Sequence, residues 1–348
     1  MKIGILTFHN IPNIGAILQA YSLCVAIRKL QVECDIIDYT CENIKKRELQ
    51  CSKQGNIIKD LIIRLLIWPK NIRKIKSCQD FMISQNVYSR KHYVRDNLKE
   101  LNKDFDILIS GSDMIWNLDV TGNDWSFFLD FADDKIRKCS FGSSIGSEWK
   151  DEELDKVKML LSRFDKISVR ESDTCELINS LGLNCSLVVD PTMLLTADYW
   201  MGLTAKPSYN NYVIVYFPTA DNLKAAKNYA RKNKKEVLVM NWSRKIRGFK
   251  NITPDSPVEW LTCIRYADAV FTNSYHGMLF SIYFNVPFWI GNYGNRITSM
   301  LKVLGLEERM IKNDLDFETQ IDFDRINEII VELRRESFDY IKGIIANY

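Results

Sequence analysis

Three clusters of polar residues have types and spacing suited to chemistry. Asn273-Ser274-Tyr275-His276-Gly277 closes an apolar run and opens a stretch of helical periodicity. Backbone N–H groups at a helix N-terminus favour anions, and a histidine beside them can donate a proton near neutral pH. A histidine in that place could also simply cap or pack. Gly111-Ser112-Asp113-Met114-Ile115-Trp116-Asn117 sets a carboxylate, an indole and an amide just beyond another apolar run. That combination suits gripping a sugar or its hydroxyls, although Asp113 could instead cap a helix. In Asn13-Ile14-Gly15-Ala16, Gly15 allows a ligand close to the backbone where the first helix starts.

Arginines on loops add a capacity for anions. Arg170 directly follows one expected strand, and Arg296 follows another and precedes a helix. Arg244, Lys245 and Arg247 form a basic loop after Met240-Asn241. Guanidinium groups bind carboxylate or phosphate in a bidentate way, although most such residues form surface ion pairs. Asp104-Phe105-Asp106 matches the D-x-D pattern of metal-dependent glycosyltransferases but opens a strand instead of ending one. No G-x-G-x-x-G or Walker lysine motif is present. With His9, His92 and His276 as the only histidines, and nine scattered cysteines without a C-x-x-C pair, no metal site is expected. The cysteines read as buried or partly exposed thiols of a reducing cytoplasm.

These clusters need elements to position them. The chain has 348 residues, 46% hydrophobic and 26% charged, which describes a soluble globular protein of about two domains. A formal charge of +3 from 47 basic and 44 acidic residues argues against a nucleic-acid binder. Lys2 to Phe8 reads as a buried parallel strand, Ala16 to Leu30 as a helix and Glu33 to Tyr39 as a strand, a βαβ opening. Further strands are expected at 105–109, 137–141, 166–169 and 186–189, each ending in a small polar loop. A second α/β unit follows, with strands at 212–217, 236–240, 269–272 and 287–290 and helices at 220–232, 257–266 and 277–284. The expected domains are 1–195, 196–325 and a C-terminal helix over 326–348 that packs back across their junction. The basic amphipathic stretch 57–76 could lie on an anionic membrane surface or pack on its own domain. No targeting segment is visible, and no apolar run approaches the roughly 20 residues of a membrane span.

Taken in order, these motifs resemble the polysaccharide pyruvyl transferase family. The resemblance rests on Asn13-x-Gly15-Ala16 with Leu18-Gln19-Ala20-Tyr21, then Gly111-Ser112-Asp113-x-x-Trp116-Asn117. It continues through Ser168-Val169-Arg170-Glu171, Asp190-Pro191-Thr192 and Thr272-Asn273-Ser274-Tyr275-His276-Gly277, followed by Pro287. It implies an α/β fold of two Rossmann-like domains of the GT-B type, with the active site in the interdomain cleft. It also implies transfer of a pyruvyl group from phosphoenolpyruvate to two sugar hydroxyls, forming a cyclic ketal and releasing phosphate. By position, His276 with Asp113 would be catalytic. Arg170, Ser274, Tyr275, Gly277, Arg296, Arg244 and Asn241 would bind the donor. Asn13, Gly15, Ala16, Ser112, Trp116 and Asn117 would face the acceptor. No cofactor beyond the co-substrate is implied. The acceptor is expected to be a lipid-linked glycan at the cytoplasmic membrane face, with 57–76 as the contact. One departure stands out, since several members carry Arg two residues before the histidine, where this chain has Ser274. The other readings are a GT-B glycosyltransferase gripping a nucleotide sugar with Arg244, Lys245 and Arg296, and a non-catalytic partner in polysaccharide assembly.

Overall fold

A computed structural model of the chain describes residues 1–49, 68–242, 245–291, 294–312 and 315–346. Two compact units divide it: Met1–Leu195 with Glu332–Tyr348, and Thr196–Val331. Most of the amphipathic stretch, 57–67, lies outside the described residues. Its remainder enters the helix Trp68–Ser84.

The first unit is built on a five-stranded parallel sheet. Its strands are β1 (Lys2–Leu6), β2 (Glu33–Tyr39), β3 (Tyr88–Tyr93), β4 (Ile107–Ser110) and β5 (Arg137–Ser140). Their spatial order is β3-β2-β1-β4-β5. β1 pairs with β2 from Lys2↔Glu33 to Ile5↔Ile36 and with β4 from Ile3↔Ile107 to Leu6↔Ser110. Covered on both faces, β1 and β4 need apolar side chains on both sides, so they read as near-continuous apolar runs. Two short strands, β6 (Ile167–Val169) and β7 (Cys185–Leu187), pair in parallel beside this sheet. The helix Ile14–Lys29 returns the chain from β1, with Asn13 at its N-cap and Arg28 and Lys29 in its last turn, where cations suit the helix dipole.

The second unit repeats the plan. Its strands are β8 (Tyr212–Tyr216), β9 (Glu236–Met240), β10 (Lys250–Ile252), β11 (Ala269–Thr272) and β12 (Phe288–Ile290), in the order β10-β9-β8-β11-β12. All are parallel, and β8 pairs with β11 from Ala269↔Val213 to Thr272↔Tyr216. Both units are therefore Rossmann-like, and in both the strand order reverses beside the first strand. Ligands of open α/β sheets bind outside the carboxyl ends of the strands at such a reversal.

The last helix, Phe323–Ile345, starts in the second unit, and from Glu332 onward it belongs to the first. There Arg334 Nε donates to the Met193 carbonyl at 2.5 Å, Ser337 Oγ accepts the Val189 N–H at 3.0 Å, and Tyr340 donates to the Ser140 carbonyl at 3.1 Å. Among the described residues, no helix is long and apolar enough to cross a membrane.

Of the eight described cysteines, seven are buried and Cys185 is half-buried. Burial pushes the thiols of Cys41, Cys139 and Cys263 up to about 12 and that of Cys78 to about 11. Thiols held protonated are poor nucleophiles. At pH 8, residue-resolved iodoacetamide labelling of these four should therefore lag far behind labelling of the guanidinium-unfolded chain. Equal rates in the two states would contradict their burial.

Candidate functional site

In the second unit the site grows from the junction of β11 with the helix Tyr275–Tyr283. Thr272, the last strand residue, is fully buried. Its hydroxyl accepts the Ser274 N–H at 3.0 Å. Ser274 is the N-cap, and its Oγ accepts the Gly277 N–H at 3.2 Å. A Cβ on residue 277 would stand 2.8 Å from Thr272 Oγ1, so only glycine lets the first helical turn sit this close to the strand end. The residue departing from the R-L-H-G pattern thus has a structural task here that an arginine could not perform.

His276 follows in the first turn, 8% exposed. The Tyr275 ring meets its imidazole edge-on, with centroids 5.6 Å apart. Over the same Tyr275 ring lies the Arg296 guanidinium, 5.1 Å from its centroid. Arg296 is half-buried on the helix Asn295–Leu304. Tyr275 therefore touches both an imidazole and a guanidinium at the positive end of a helix, an arrangement suited to an anionic ligand. Asn273 ties this loop to its neighbour, donating from Nδ2 to the Phe217 carbonyl at 3.1 Å. Asn241 follows β9, its N–H on the Ile252 carbonyl at 3.2 Å. Arg244 lies outside the described residues.

In the first unit the expected residues come together differently. Arg170 follows β6 with its side chain 1% exposed. Its Nη1 donates to Asp190 Oδ2 at 2.6 Å and to Ser112 Oγ at 2.9 Å. Nε donates to Glu171 Oε1 at 3.2 Å, and Nη2 lies 3.5 Å from Asp113 Oδ1. Asp190 is fully buried and accepts the Thr192 N–H and hydroxyl at 3.0 and 2.8 Å. A guanidinium enclosed by three carboxylates is placed to lock the loops after β4, β6 and β7, in place of the donor grip expected of Arg170. Asp113 is held by this lock in a left-handed backbone conformation, φ +77°, with its carboxylate accepting the Met114 N–H at 2.9 Å.

Most of the residues expected to face the acceptor are buried. Trp116 is fully buried, donates to Ser110 Oγ and the Phe127 carbonyl, each at 3.0 Å, and stacks on Phe128. Its indole is core and offers no face to a sugar. Ser112 and Ala16 are also fully enclosed, and Gly15 is buried in the helix start. Asn117 caps the short helix Leu118–Thr121 through Oδ1 while Nδ2 reaches the Ile145 carbonyl at 2.7 Å. Asn13 is exposed, and its Oδ1 accepts the Ala16 N–H at 3.4 Å.

A cluster without a sequence signal lies beside them. Asp38 accepts from His9 Nε2 at 3.2 Å and His92 Nδ1 at 3.0 Å, joining the ends of β1, β2 and β3. Burial acts to raise the Asp38 pKa, but the hydrogen bonds and charges of the two histidines prevail and hold it below the usual value. His9 and His92 line a cavity of about 640 Å³, walled on its far side by the helix Trp68–Ser84. Among the described residues, no group of three or more His, Cys, Asp or Glu is arranged to hold a metal ion.

Breaking the Arg170 lock takes the neighbouring cation from the buried Asp190 carboxylate. Arg170→Ala should therefore cost about 3–5 kcal/mol in urea denaturation, and Trp116→Ala a similar ~3–5 kcal/mol for the lost indole. Near-neutral effects on unfolding would return both residues to a binding role.

The family description "Polysaccharide pyruvyl transferase" matches residues 13–295. No curated protein matches the chain in sequence comparison. Among solved structures, UDP-GlcNAc 2-epimerase from Neisseria meningitidis bound to UDP-GlcNAc aligns over 100% of both chains with TM-score 0.50 and 7% identity. UDP-GlcNAc 2-epimerase from Methanocaldococcus jannaschii aligns over 100% of both with TM-score 0.49 and 11% identity. E. coli ADP-heptose lps heptosyltransferase II aligns over 95% of this chain and 99% of its own with TM-score 0.41 and 10% identity. At 7% identity the likeness to the Neisseria meningitidis structure concerns the fold alone, which is of the GT-B type with two Rossmann-like units. With its motifs in order and the family match running over most of its length, the chain belongs to the polysaccharide pyruvyl transferase family.

Proposed function

We propose that this protein transfers a pyruvyl group from phosphoenolpyruvate to two hydroxyls of a glycan, forming a cyclic ketal and releasing phosphate. The observation that carries the reading is the Ser274-capped helix start. It sets His276 beside the Tyr275–Arg296 stack, so that a proton donor and an anion-binding end share one turn. Protonation of the methylene carbon by His276 forms a C–H bond and leaves an oxocarbenium-like centre at the adjacent carbon. One sugar hydroxyl adds there and loses its proton, which restores the histidine. A second hydroxyl then displaces phosphate, and its proton leaves with that group. Two O–H bonds break and one C–H bond forms, so no oxidant or metal is needed to balance the step. Arg296 and the helix dipole favour the phosphate and carboxylate of the donor.

On this reading the acceptor is a lipid-linked precursor of a surface polysaccharide, met at the cytoplasmic face of the membrane. Liposome co-sedimentation tests the membrane contact, with Lys70, Arg73 and Lys74 replaced by Glu. Binding should fall in the variant, and unchanged binding would remove the contact from the account.

The direct test of the reading is acceptor-dependent phosphate release from phosphoenolpyruvate, measured with glycoside and lipid-linked acceptors. His276→Ala should lower turnover by about 10²–10⁴-fold without lowering the melting temperature. A melting shift with UDP-sugars and none with phosphoenolpyruvate would replace this function with glycosyl transfer. Full activity in His276→Ala would remove the histidine from the chemistry.

A further inference from the structure

Phe217 is the residue after β8, and no step above uses it. Its φ is +57°, a left-handed backbone conformation that side chains with a Cβ rarely adopt. It is 57% exposed, while Tyr216 before it is 4% exposed. No other described phenylalanine is among the exposed large hydrophobic residues. A strained backbone that displays an apolar ring to solvent brings the fold no evident stability.

The conformation is nevertheless held firmly. The Phe217 carbonyl accepts Nδ2–H bonds from two asparagines, Asn222 and Asn273, each at 3.1 Å. Asn222 is fully buried at the start of the helix Ala220–Asn233, where its Oδ1 accepts the Thr219 N–H at 2.7 Å. Asn273 belongs to the loop that carries His276, and its N–H meets the Tyr216 carbonyl at 3.4 Å. The Phe217 ring lies against the Tyr216 ring, with centroids 4.6 Å apart. β8 and β11 are neighbours at the strand-order reversal of this sheet, so Phe217 and His276 leave from the same crevice. Strain that the surroundings over-determine at such a place points to a ligand.

We propose that Phe217 is a substrate-contacting residue, its exposed face stacking on the C–H face of the acceptor pyranose. This rests on the pyruvyl-transfer reading for the identity of the site. The negative face of a phenyl ring disfavours the phosphate and carboxylate of phosphoenolpyruvate, whereas the C–H face of a sugar is apolar and faintly positive. The donor is thereby left to His276 and Arg296, and the ring selects acceptors by the face they present.

The test is saturation-transfer NMR of the methyl β-galactoside, β-glucoside and β-mannoside with the full chain. Melting shifts with phosphoenolpyruvate are measured in parallel. At least one glycoside should receive saturation, strongest at its ring C–H protons. The signal should fall about tenfold in Phe217→Gly and persist in Phe217→Tyr. The phosphoenolpyruvate shift should be equal in all three proteins. Phe217→Gly, freed of the left-handed strain, should melt no lower than the wild type. The inference is overturned if no glycoside receives saturation, if Phe217→Gly keeps the signal, or if that variant melts lower. Loss of the phosphoenolpyruvate shift alone in Phe217→Gly would assign the ring to the donor and also overturn it. Glycoside signals that follow Phe217 with no phosphoenolpyruvate shift in any protein would support the inference and count against the donor reading.

Discussion

The Ser274 hydroxyl fixes the point at which β11 gives way to a helix, and the second unit's chemistry depends on that point. By accepting the Gly277 N–H it satisfies one of the orphan donors of the first turn, while the Thr272 hydroxyl holds the Ser274 N–H from the strand side. The absence of a Cβ at residue 277 lets the turn close down on Thr272. His276 is then carried to the positive end of the helix dipole, against Tyr275, with the Arg296 guanidinium over the same ring. The serine that departs from the arginine-bearing family pattern is consistent with this arrangement. Here the cation comes from a different helix, and the position itself sets geometry.

The two units share a strand order but use their reversals differently. In the first, burial decides the matter. Arg170, Asp190 and Ser112 are withdrawn from solvent and joined to one another, and ions so withdrawn are stable only while paired. The loops after β4, β6 and β7 are thereby fixed, and the exposed polar groups of this unit lie elsewhere, on Asn13 and around the Asp38 carboxylate. In the second unit the loop after β8 keeps an exposed ring, and the helix after β12 keeps a half-buried guanidinium. A rigid frame with a few displayed groups is what positioning a small anion beside a larger glycan requires.

Much of this frame could be read from the sequence because parallel strands buried on both faces must be apolar throughout. Glu236–Met240 and Ala269–Thr272 coincide with their expected limits for that reason. Two edge strands escaped, since Tyr88–Tyr93 reads Tyr-Ser-Arg-Lys-His-Tyr and Lys250–Ile252 spans three residues. The helix expected from Gly277 begins at Tyr275, because Ser274 is its cap and Gly277 packs within its first turn. Trp116 and Arg170 have residue types that suit ligands, and only the packing around them reveals core and lock. The His9–Asp38–His92 contact joins residues far apart in the chain, so it becomes visible only when β3, β2 and β1 are laid side by side.

The central claim is that a proton is delivered to the methylene carbon of phosphoenolpyruvate while the sugar adds to its neighbour. Running the reaction in D₂O and examining the glycan product by NMR tests it most directly. The account predicts a ketal whose methyl group carries one deuterium, formed by the wild type and lost in His276→Ala. A product that lacks deuterium in that methyl group, or a glycan extended by a sugar with phosphoenolpyruvate untouched, would contradict it.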